Sequence, residues 1–482
     1  MIKSIKIGVF LLLCILTSSR GFSANTKEHK QEQKPNIIFL LTDDQRWDAM
    51  GAMGNSIIET PNMDALATQG ILFQNAYVTT SICCVSRASI LTGRYEKEHG
   101  IHDFNTDLKP NLVNGSYPNL LKKAGYNIAF IGKYGVGHHT DFSAYDYIYD
   151  SEAGGKGQPD YITVGKDGKK IHDTDTINSA IQYFLDQYGN KGPFCISVSF
   201  KAPHELDGNP PVYPIQSKFK NLYKDVTIPE PVTAAPKYWK SLPDFFSTDE
   251  NFGRSRWKGL FGTNELYQYN IKNYYRLITG VDEVIGNIRT KLKALGIDKN
   301  TVIIEMGDNG MFLGEHGMEG KWYGYEESIR IPLLIYYPKF PDQIRQTRPA
   351  NIALNIDIAP TILSLAGVEV PEGMEGVNLI DLITNKIPDR KDFFYQHYFL
   401  GSPHLPSEEG VVEKDFKYMN YIEYSNNAEE LYDTKNDPHE TKNLINDPEY
   451  KKILNSLKKR YNELKKKYSV TSEERKKINK VF

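Results

Sequence analysis

The chain has 482 residues, of which 40% are hydrophobic and 24% are charged. This composition is ordinary for a globular protein, and the length allows one large domain together with a smaller one. The 58 basic and 60 acidic residues leave a formal net charge of -2. Since that balance leaves no broad basic surface to neutralise phosphates, we expect no nucleic-acid partner.

The first 24 residues have the pattern of a targeting signal. Lys3 and Lys6 precede an apolar run from residue 7 to residue 16, and small residues follow that run. We expect a signal peptide over residues 1–24, cleaved between Ser19 and Ala24, and export of the protein to the periplasm or the medium. The apolar run is too short to span a bilayer comfortably, so the sequence predicts no stable membrane insertion.

The predicted mature chain contains three cysteines, namely Cys83, Cys84 and Cys195. An odd number in an exported protein means that at least one thiol is unpaired or chemically altered. Adjacent cysteines rarely pair with each other, so a disulfide between Cys84 and Cys195 is conceivable. Cys83 is then the unpaired residue.

Several apolar runs rich in β-branched residues end in polar residues, and helical patterns lie between them. The clearest runs cover residues 37–41, 128–131, 194–200 and 302–304. This alternation predicts an α/β fold with a large mixed, mostly parallel sheet sandwiched by helices. Because ligands of such sheets bind outside the carboxyl ends of the strands, we expect the polar residues after these runs to converge.

The remaining pattern predicts two domains, a main one over residues 35–369 and a C-terminal α+β subdomain over residues 370–482. The sequence elements behind this division are a helix over 274–295, a strand over 331–335, a helix over 358–366, strands at 393–395 and 416–418, and a helix over 450–464. Lysines fill the polar side of the last helix and indicate a solvated surface.

The segment from Leu206 to Arg256 mixes proline, aromatic and charged residues without a clear period. Irregular stretches of this length are uncommon in compact domains, and they often carry function. The segment is either a functional loop near the site or a surface elaboration.

Cys83 lies one helical turn before Arg87, in a stretch that continues to Arg94. In a helix that starts here, both side chains lie on one face beside the free N–H groups of the first turn. The positive end of the helix dipole, the amide donors and a guanidinium all favour a tetrahedral anion such as sulfate or phosphate. The alternative is a buried cysteine at a helix start with no chemical role.

Two predicted strands are followed by hard oxygen ligands of the kind that hold calcium or magnesium: Asp43, Asp44, Asp308 and Asn309. Adjacent carboxylates repel each other unless a cation or a donor neutralises them. The alternatives are that Asp43 and Asp44 cap a helix and that Asn309-Gly310 forms a hairpin turn.

Three further residues lie beside glycine or proline in predicted loops, and each is cationic or able to donate a proton: Lys133, His204 and Lys321. Hydrolysis of an oxyanion ester needs a nucleophile, charge neutralisation and an acid for the leaving group. Together with Cys83 and the carboxylates, these residues supply all three requirements.

The ordered motifs resemble those of type I, formylglycine-dependent sulfatases of the alkaline phosphatase superfamily. The matching segments are 35–44, 60–66, 83–94, 132–133, 202–204, 307–310, 314–317, 321, 325–332 and, in the C-terminal subdomain, 431–444. They cover nearly the whole predicted mature chain. The paired Cys83-Cys84 followed by Ser86-Arg87 is similar to glucosamine-6-sulfatases.

The resemblance implies an alkaline phosphatase-like fold and a sulfuric ester hydrolase. It implies that a maturation enzyme converts Cys83 to Cα-formylglycine, whose hydrated aldehyde attacks sulfur. The implied roles of Arg87 and Lys133 are to orient this residue, and those of His204 and Lys321 are to bind sulfate and assist departure of the alcohol. Lys133 is implied in substrate binding as well.

A single calcium ion is the cofactor that the resemblance implies. Its ligands in this sequence are the modified Cys83 and the four oxygen-bearing residues Asp43, Asp44, Asp308 and Asn309. The ion lowers the pKa of the attacking hydroxyl and neutralises the transition state.

Two positions depart from the family pattern. Val85 stands where the family signature usually has Pro or Ala, which bears on recognition of Cys83 by the maturation enzyme. Gly135 stands where many relatives carry a histidine that collapses the sulfated intermediate. His138 or His139 could substitute for that base, and the sequence assigns neither.

The leading hypothesis is an exported sulfatase that removes sulfate from a sulfated carbohydrate. Two alternatives remain open: a phosphodiesterase or phosphonate hydrolase of the same superfamily, and a non-catalytic protein that binds sulfated glycans without converting Cys83.

Overall fold

A computed structural model of the chain describes residues 33–152, 160–165, 168–240, 242–424 and 428–478. The predicted signal peptide, residues 1–24, lies outside the described residues. None of the helices within those ranges is both long and apolar enough to cross a membrane.

The strands in these ranges are β1 (Asn36–Asp43), β2 (Ile71–Leu72), β3 (Asn75–Tyr77), β4 (Asn127–Gly132), β5 (Tyr147–Asp150), β6 (Ile162–Val164), β7 (Lys170–His172), β8 (Phe194–Pro203), β9 (Thr301–Gly307), β10 (Phe312–Leu313), β11 (Glu319–Gly320), β12 (Leu333–Tyr336), β13 (Ile352–Leu354), β14 (Asp392–His397), β15 (Glu408–Glu413), β16 (Lys417–Tyr421) and β17 (Glu429–Tyr432). The α-helices are α1 (Pro61–Gln69), α2 (Cys83–Thr92), α3 (Glu96–His99), α4 (Pro110–Asn114), α5 (Tyr117–Lys123), α6 (Asp173–Tyr188), α7 (Pro236–Trp239), α8 (Phe252–Leu260), α9 (Asn264–Ala294), α10 (Glu326–Ile329), α11 (Ile358–Leu365), α12 (Leu379–Ile383), α13 (Lys451–Tyr468) and α14 (Ser472–Ile478).

The largest sheet has seven strands in the order β2-β12-β9-β1-β8-β4-β5. The pairings β9-β1, β1-β8, β8-β4 and β4-β5 are parallel, whereas β12 runs antiparallel to both of its neighbours. The four apolar runs of the sequence form β1, β4, β8 and β9. The prediction of a mixed, mostly parallel sheet is therefore confirmed.

Helices cover both faces of this sheet, as the continuous apolar runs require. In β1, Ile37 and Phe39 belong to one buried apolar cluster, together with residues of α2, α5 and α11. Ile38 and Leu40 belong to a second cluster, with residues of α1, α6 and α9. Alternate residues of a strand point to opposite faces, so β1 is buried on both sides.

Several predicted elements differ from the structure at their boundaries. The helix predicted to start at residue 274 begins at Asn264, because the Thr263 side chain accepts a hydrogen bond from the Leu266 N–H and Tyr267 extends the buried face. The strand predicted over 331–335 is shorter at its start, and β12 begins at Leu333.

The C-terminal region contains an antiparallel sheet of β14, β15, β16 and β17 in chain order, with α13 packed on it through Leu457, Tyr461 and Leu464. The predicted strand at 393–395 lies in β14, and the one at 416–418 overlaps β16, which begins at Lys417; β15 and β17 were not predicted. The division of the chain into domains at residue 370 stays a prediction.

Most of the segment from Leu206 to Arg256 is irregular, as expected, with short helical turns until α8 begins at Phe252. Cys84 and Cys195 are buried, free thiols, so the conceivable disulfide between them is not formed.

Candidate active site

The carboxylates after β1 and β9 lie together because these strands are parallel neighbours. Thr42 is paired with Gly307 at the ends of the two strands, and the Asp308 N–H donates to the Thr42 carbonyl at 2.9 Å. The Asp44 N–H in turn donates to Asp308 Oδ1 at 3.0 Å. Asp44 has a φ of 64°, so the chain turns sharply just after the strand and neither acidic residue caps a helix.

On the other side of β1, β8 and β4 bring two of the predicted cationic or proton-donating groups to the same edge. Pro203, the last residue of β8, is paired with Asp43, and His204 follows it. Lys133 follows β4, and its N–H donates to the Ser199 carbonyl of β8 at 2.9 Å. The predicted convergence of polar residues at the carboxyl ends of the strands is thus present.

Helix α2 begins at Cys83, as the sequence predicts, and places Arg87 one turn later across the strand ends. The Arg87 Nε–H donates to Asp308 Oδ2 at 2.9 Å, and Nη1 donates to the Lys133 carbonyl at 2.8 Å and to the Ser199 hydroxyl. Nη2 lies 3.4 Å from Asp43 Oδ2. Arg87 therefore joins α2 to β1, β4, β8 and the turn after β9.

The Cys83 side chain lies between the carboxylate of Asp43 and the ammonium group of Lys321. Its thiol donates to Asp43 Oδ1 at 3.2 Å, and Lys321 Nζ donates to Sγ at 3.0 Å. Lys321, which follows β11, also pairs with Asp44 Oδ1 at 2.5 Å. Burial, together with the Asp43 carboxylate, raises the pKa of the Cys83 thiol, so the environment does not favour a thiolate nucleophile.

The remaining predicted residues complete the cluster. Lys133 Nζ lies 2.5 Å from Asp43 Oδ2, and His204 Nε2 lies 3.4 Å from Asp44 Oδ2. Asn309 donates through Nδ2 to Asp44 Oδ1 at 2.5 Å. All nine predicted site residues are therefore gathered and buried in one place.

The pKa values of Asp43 and Asp44 are shifted in opposite directions by this environment. Burial alone raises the pKa of Asp43, but the charges of Lys133, His204 and Arg87 outweigh it and hold that pKa well below the usual range. Burial raises the pKa of Asp44 to about 8, with Asp43 and Asp308 adding repulsion. An additional nearby cation would therefore favour the ionised form of Asp44.

The donor set fits a calcium ion. Ligand atoms of Asp43, Asp44, Cys83 and Asp308 all lie within 4.8 Å of one another. Asp44 Oδ2 and Asn309 Oδ1 are buried and have no hydrogen-bond partner within the part of the chain that the structure describes, and unsatisfied buried oxygens of this kind suit a hard cation. The fit agrees with the ligands implied by the sequence.

Three carboxylates of the cluster face three cationic side chains, so the charges balance when all six groups are ionised: Asp43, Asp44, Asp308, Arg87, Lys133 and Lys321. A metal cation and a substrate anion that enter this site together largely offset each other's charge. The arrangement can therefore hold an anionic ester against a bound metal ion.

Gly135 has no room for the histidine that many relatives carry. Its φ is 69°, and a Cβ atom there would lie 2.8 Å from Arg87 Cδ. His138 and His139 are exposed and pair with Asn105 and Asp107, away from the cluster. Neither histidine is placed to act as the missing base in this structure.

Sequence reasoning missed a second layer of charged residues beside the site. Glu205 and Glu319 are buried, and both pair with Arg256 of α8. Glu205 could have been suspected because it directly follows His204. Arg256 gave no such signal, since it is 51 residues away from Glu205 in an irregular segment.

Comparison with known proteins identifies the family of the chain. Residues 35–368 match the sulfatase family, and residues 314–467 match the family described as N-sulphoglucosamine sulphohydrolase, C-terminal. The chain belongs to the sulfatase family, and it is an enzyme of the sulfuric ester hydrolase class.

Relatives of known name support the same assignment. The chain is 30% identical to an N-acetylglucosamine-6-O-sulfatase of Bacteroides thetaiotaomicron, over 93% of this chain and 89% of that protein. It is also 30% identical to an arylsulfatase of Clostridium perfringens, over 88% of this chain and 93% of that protein.

Two solved structures have the same fold. One is described as a complex with its substrate D-glucosamine-2-N, 6-O-disulfate; it is 28% identical, covers 92% of this chain and 99% of its own, and has a TM-score of 0.75. A phosphonate monoester hydrolase of Agrobacterium radiobacter, 20% identical, covers 90% and 96% of the two chains with a TM-score of 0.72. The second likeness concerns the fold alone.

Proposed function

We propose that this sulfatase removes sulfate from a carbohydrate, using a Cα-formylglycine formed from Cys83 and one bound calcium ion. The observation that carries the proposal is the position of Cys83, which contacts Asp43 and Lys321 at the first residue of a buried helix. A side chain there faces both the metal-binding carboxylates and a cation suited to an anionic ester.

Formylglycine at position 83 supplies a hydrated aldehyde whose hydroxyl is the nucleophile toward sulfur, and calcium supplies a Lewis acid that neutralises charge on the sulfate. The proposed metal ligands are Asp43, Asp44, Asp308, Asn309 and residue 83.

Other side chains of the protein orient residue 83, bind the sulfate and protonate the leaving group. Arg87 orients residue 83 and the carboxylates through its contacts with Asp308 and Asp43. Lys321 and Lys133 bind the sulfate oxygens through their ammonium groups, which lie at the strand ends around Cys83. His204 Nδ1 faces the Glu205 carbonyl, so His204 binds a sulfate oxygen through Nε2 when that nitrogen carries a proton. His204 or Lys321 donates the proton that the departing alcohol requires.

A carbohydrate substrate is supported by the relatives rather than by a sugar-shaped pocket. The N-acetylglucosamine-6-O-sulfatase and the complex with a glucosamine disulfate are both proteins of similar length and architecture. The aromatic residues of the segment from Leu206 to Arg256 fit this proposal, since flat aromatic faces suit sugar rings. The sugar and the position of its sulfate are left open.

Mass spectrometry of the peptide containing residue 83, combined with sulfate release from a panel of sulfated sugars, tests the proposal. The protein is co-produced with a formylglycine-generating enzyme, and we expect conversion of residue 83 and release of sulfate. Cys83→Ala should abolish turnover, whereas Cys84→Ala, which alters a neighbouring buried thiol in the apolar core, should leave conversion and activity near those of the wild type.

The outcomes separate the alternatives. Faster turnover of an aryl phosphonate or phosphodiester than of every sulfate ester would assign the protein to phosphoryl substrates. Equal binding of a sulfated glycan by wild type and Cys83→Ala, with no turnover by either, would identify a binding protein. An unmodified thiol at residue 83 in active protein would refute the formylglycine step.

Export is a separate part of the proposal and rests on the pattern of residues 1–24. We expect the protein recovered from the periplasm or medium to begin between residues 20 and 25, as read by N-terminal sequencing. A variant lacking residues 2–24 should remain in the cytoplasm. An exported protein that still begins at Met1 would contradict cleavage.

A further inference from the structure

Arg256 lies outside the catalytic cluster, but its guanidinium is surrounded by carboxylates that adjoin that cluster. Its Nε–H donates to Glu319 Oε2 at 2.6 Å, Nη2 pairs with Glu205, and Nη1 lies 3.3 Å from Asp207 Oδ1. Each of the three nitrogens therefore meets a different carboxylate. Only the planar fork of arginine can make such a set of contacts.

The two carboxylates that matter most are fully enclosed. The side chain of Glu205 is 2% exposed and that of Glu319 is 0% exposed. Glu205 Oε2 and Glu319 Oε1 have no hydrogen-bond partner among the described residues. A buried carboxylate without its partner cation is strongly destabilised, so these two side chains depend on Arg256.

Both carboxylates are joined closely to the residues that we propose bind sulfate. Glu205 directly follows His204; its backbone carbonyl lies 2.5 Å from His204 Nδ1, and its Oε1 lies 3.7 Å from the same nitrogen. Glu319 lies in β11, which leads after Gly320 into Lys321. Lys321 acts electrostatically on both carboxylates, so without Arg256 they would compete with Asp44 and with the substrate for its charge.

Helix α8 is packed tightly enough to hold Arg256 at this place. A Cβ atom at Gly253 would lie 3.3 Å from the Glu319 carbonyl oxygen, so the helix passes directly over β11. The Asn251 side chain accepts a hydrogen bond from the Arg254 N–H and fixes the start of the helix.

We propose that Arg256 is a positioning residue of the sulfatase site: by neutralising Glu205 and Glu319 together, it leaves His204 and Lys321 available for the sulfate. The inference rests on the proposed function, because it takes from it the roles of His204 and Lys321. The inference also assigns a role to the segment from Leu206 to Arg256, because its last residue, Arg256, pairs with the two carboxylates beside the site.

The test compares variants of the matured enzyme on 4-nitrophenyl sulfate and on a sulfated sugar that the wild type hydrolyses. Arg256→Met should lower kcat on the order of 100-fold, the effect of small misplacement of reacting groups, with a smaller change in KM. Arg256→Lys keeps the charge but cannot reach three carboxylates, so we expect a loss of roughly 10-fold. Lys258→Met is the matched control, because Lys258 lies on the same helix and pairs with the exposed Asp249.

Rescue distinguishes positioning from a general structural role. In the triple variant Arg256→Met/Glu205→Gln/Glu319→Gln, the carboxylates that need neutralising are gone, and kcat should recover to within about 10-fold of the wild type. A triple variant as inactive as Arg256→Met, although folded by circular dichroism, would overturn the inference. So would an Arg256→Met variant with the kcat of Lys258→Met.

The remaining outcomes are also decisive. If Arg256→Met does not fold, the result for Arg256→Lys decides: a folded variant with reduced kcat supports the inference, and one with wild-type kcat overturns it. Failure of the proposed function looks different, since the wild type itself would then release no sulfate from either substrate.

Discussion

Two buried carboxylates lie three residues apart along the chain, one at the end of β9 and one within it, and their surroundings are opposite. Asp308 accepts hydrogen bonds from Arg87 and from the Asp44 N–H, and it adjoins the Cys83 cluster. Glu305 is 0% exposed, and neither of its carboxylate oxygens has a hydrogen-bond partner among the described residues.

The difference shows that β9 can hold a buried neutral carboxyl group within it and lead directly into an ionised carboxylate of the proposed site. Glu305 is level with Leu40 of β1 and Leu334 of β12, on the sheet face covered by α1 and α9. Burial, with a smaller effect of Asp282, raises its pKa to about 8. We therefore expect Glu305 to be protonated in the folded protein at neutral pH, whereas Asp308 is held among permanent cations.

Asp308→Asn should have the largest effect of the variants that bear on this comparison. It leaves the Arg87 guanidinium without its main countercharge, which we expect to lower the free energy of unfolding by about 3–5 kcal/mol. Activity should fall by at least on the order of 100-fold, because a proposed metal ligand and the anchor of Arg87 are lost together. Urea unfolding and initial rates on an aryl sulfate measure the two effects.

The control for that variant is Asp342→Asn, which removes an exposed carboxylate paired with Arg345. Exposed pairs contribute about 0–1 kcal/mol, so this variant should unfold like the wild type and keep its activity. Equal behaviour of the two variants would show that Asp308 is no more important than a surface residue.

Glu305→Gln should stabilise the folded protein, whereas Asp308→Asn destabilises it, and the size of the stabilisation should depend on pH. The unfolded chain loses the Glu305 proton above pH 4.5, but the folded protein retains it up to about pH 8. The folded state thus binds more protons in this window, and the stability of the wild type falls there by about 1.4 kcal/mol per pH unit.

A neutral glutamine removes that slope. Relative to the wild type, Glu305→Gln should be about equally stable at pH 5 and more stable by about 3 kcal/mol at pH 7. Unfolding in urea across this range measures the difference, with the exposed Glu98→Gln as the control. A constant difference between variant and wild type at every pH would mean that Glu305 is not neutral in the folded state.

Local patterns were sufficient for much of the site. The polar residues after β1, β4, β8 and β9 could be recognised because each follows a continuous apolar run, and the four-residue spacing from Cys83 to Arg87 specifies one face of a helix. Parallel topology then brings these residues together. The resemblance to sulfatases was needed to assign them chemical roles.

The residues that were not predicted are important because of contacts with residues far away in the sequence. Glu408 and Glu409 make β15 look like a loop, yet tertiary packing buries them in a strand. Glu305 resembles any polar residue in a strand until the faces of the sheet are known. Arg256 is significant only because α8 lies over β11.

Calcium should raise the stability of the wild type and of Glu305→Gln but not that of Asp308→Asn. This is the smallest of the expected effects. A ligand that binds only the folded state stabilises it by about 2.7 kcal/mol at 100 times its dissociation constant. Since the proposed ligands include Asp308 but not Glu305, chelation followed by added calcium should raise the unfolding temperature of the wild type and of Glu305→Gln by the same amount. Asp308→Asn should show little or no rise, and a full rise in that variant would place the ion away from the ends of β1 and β9.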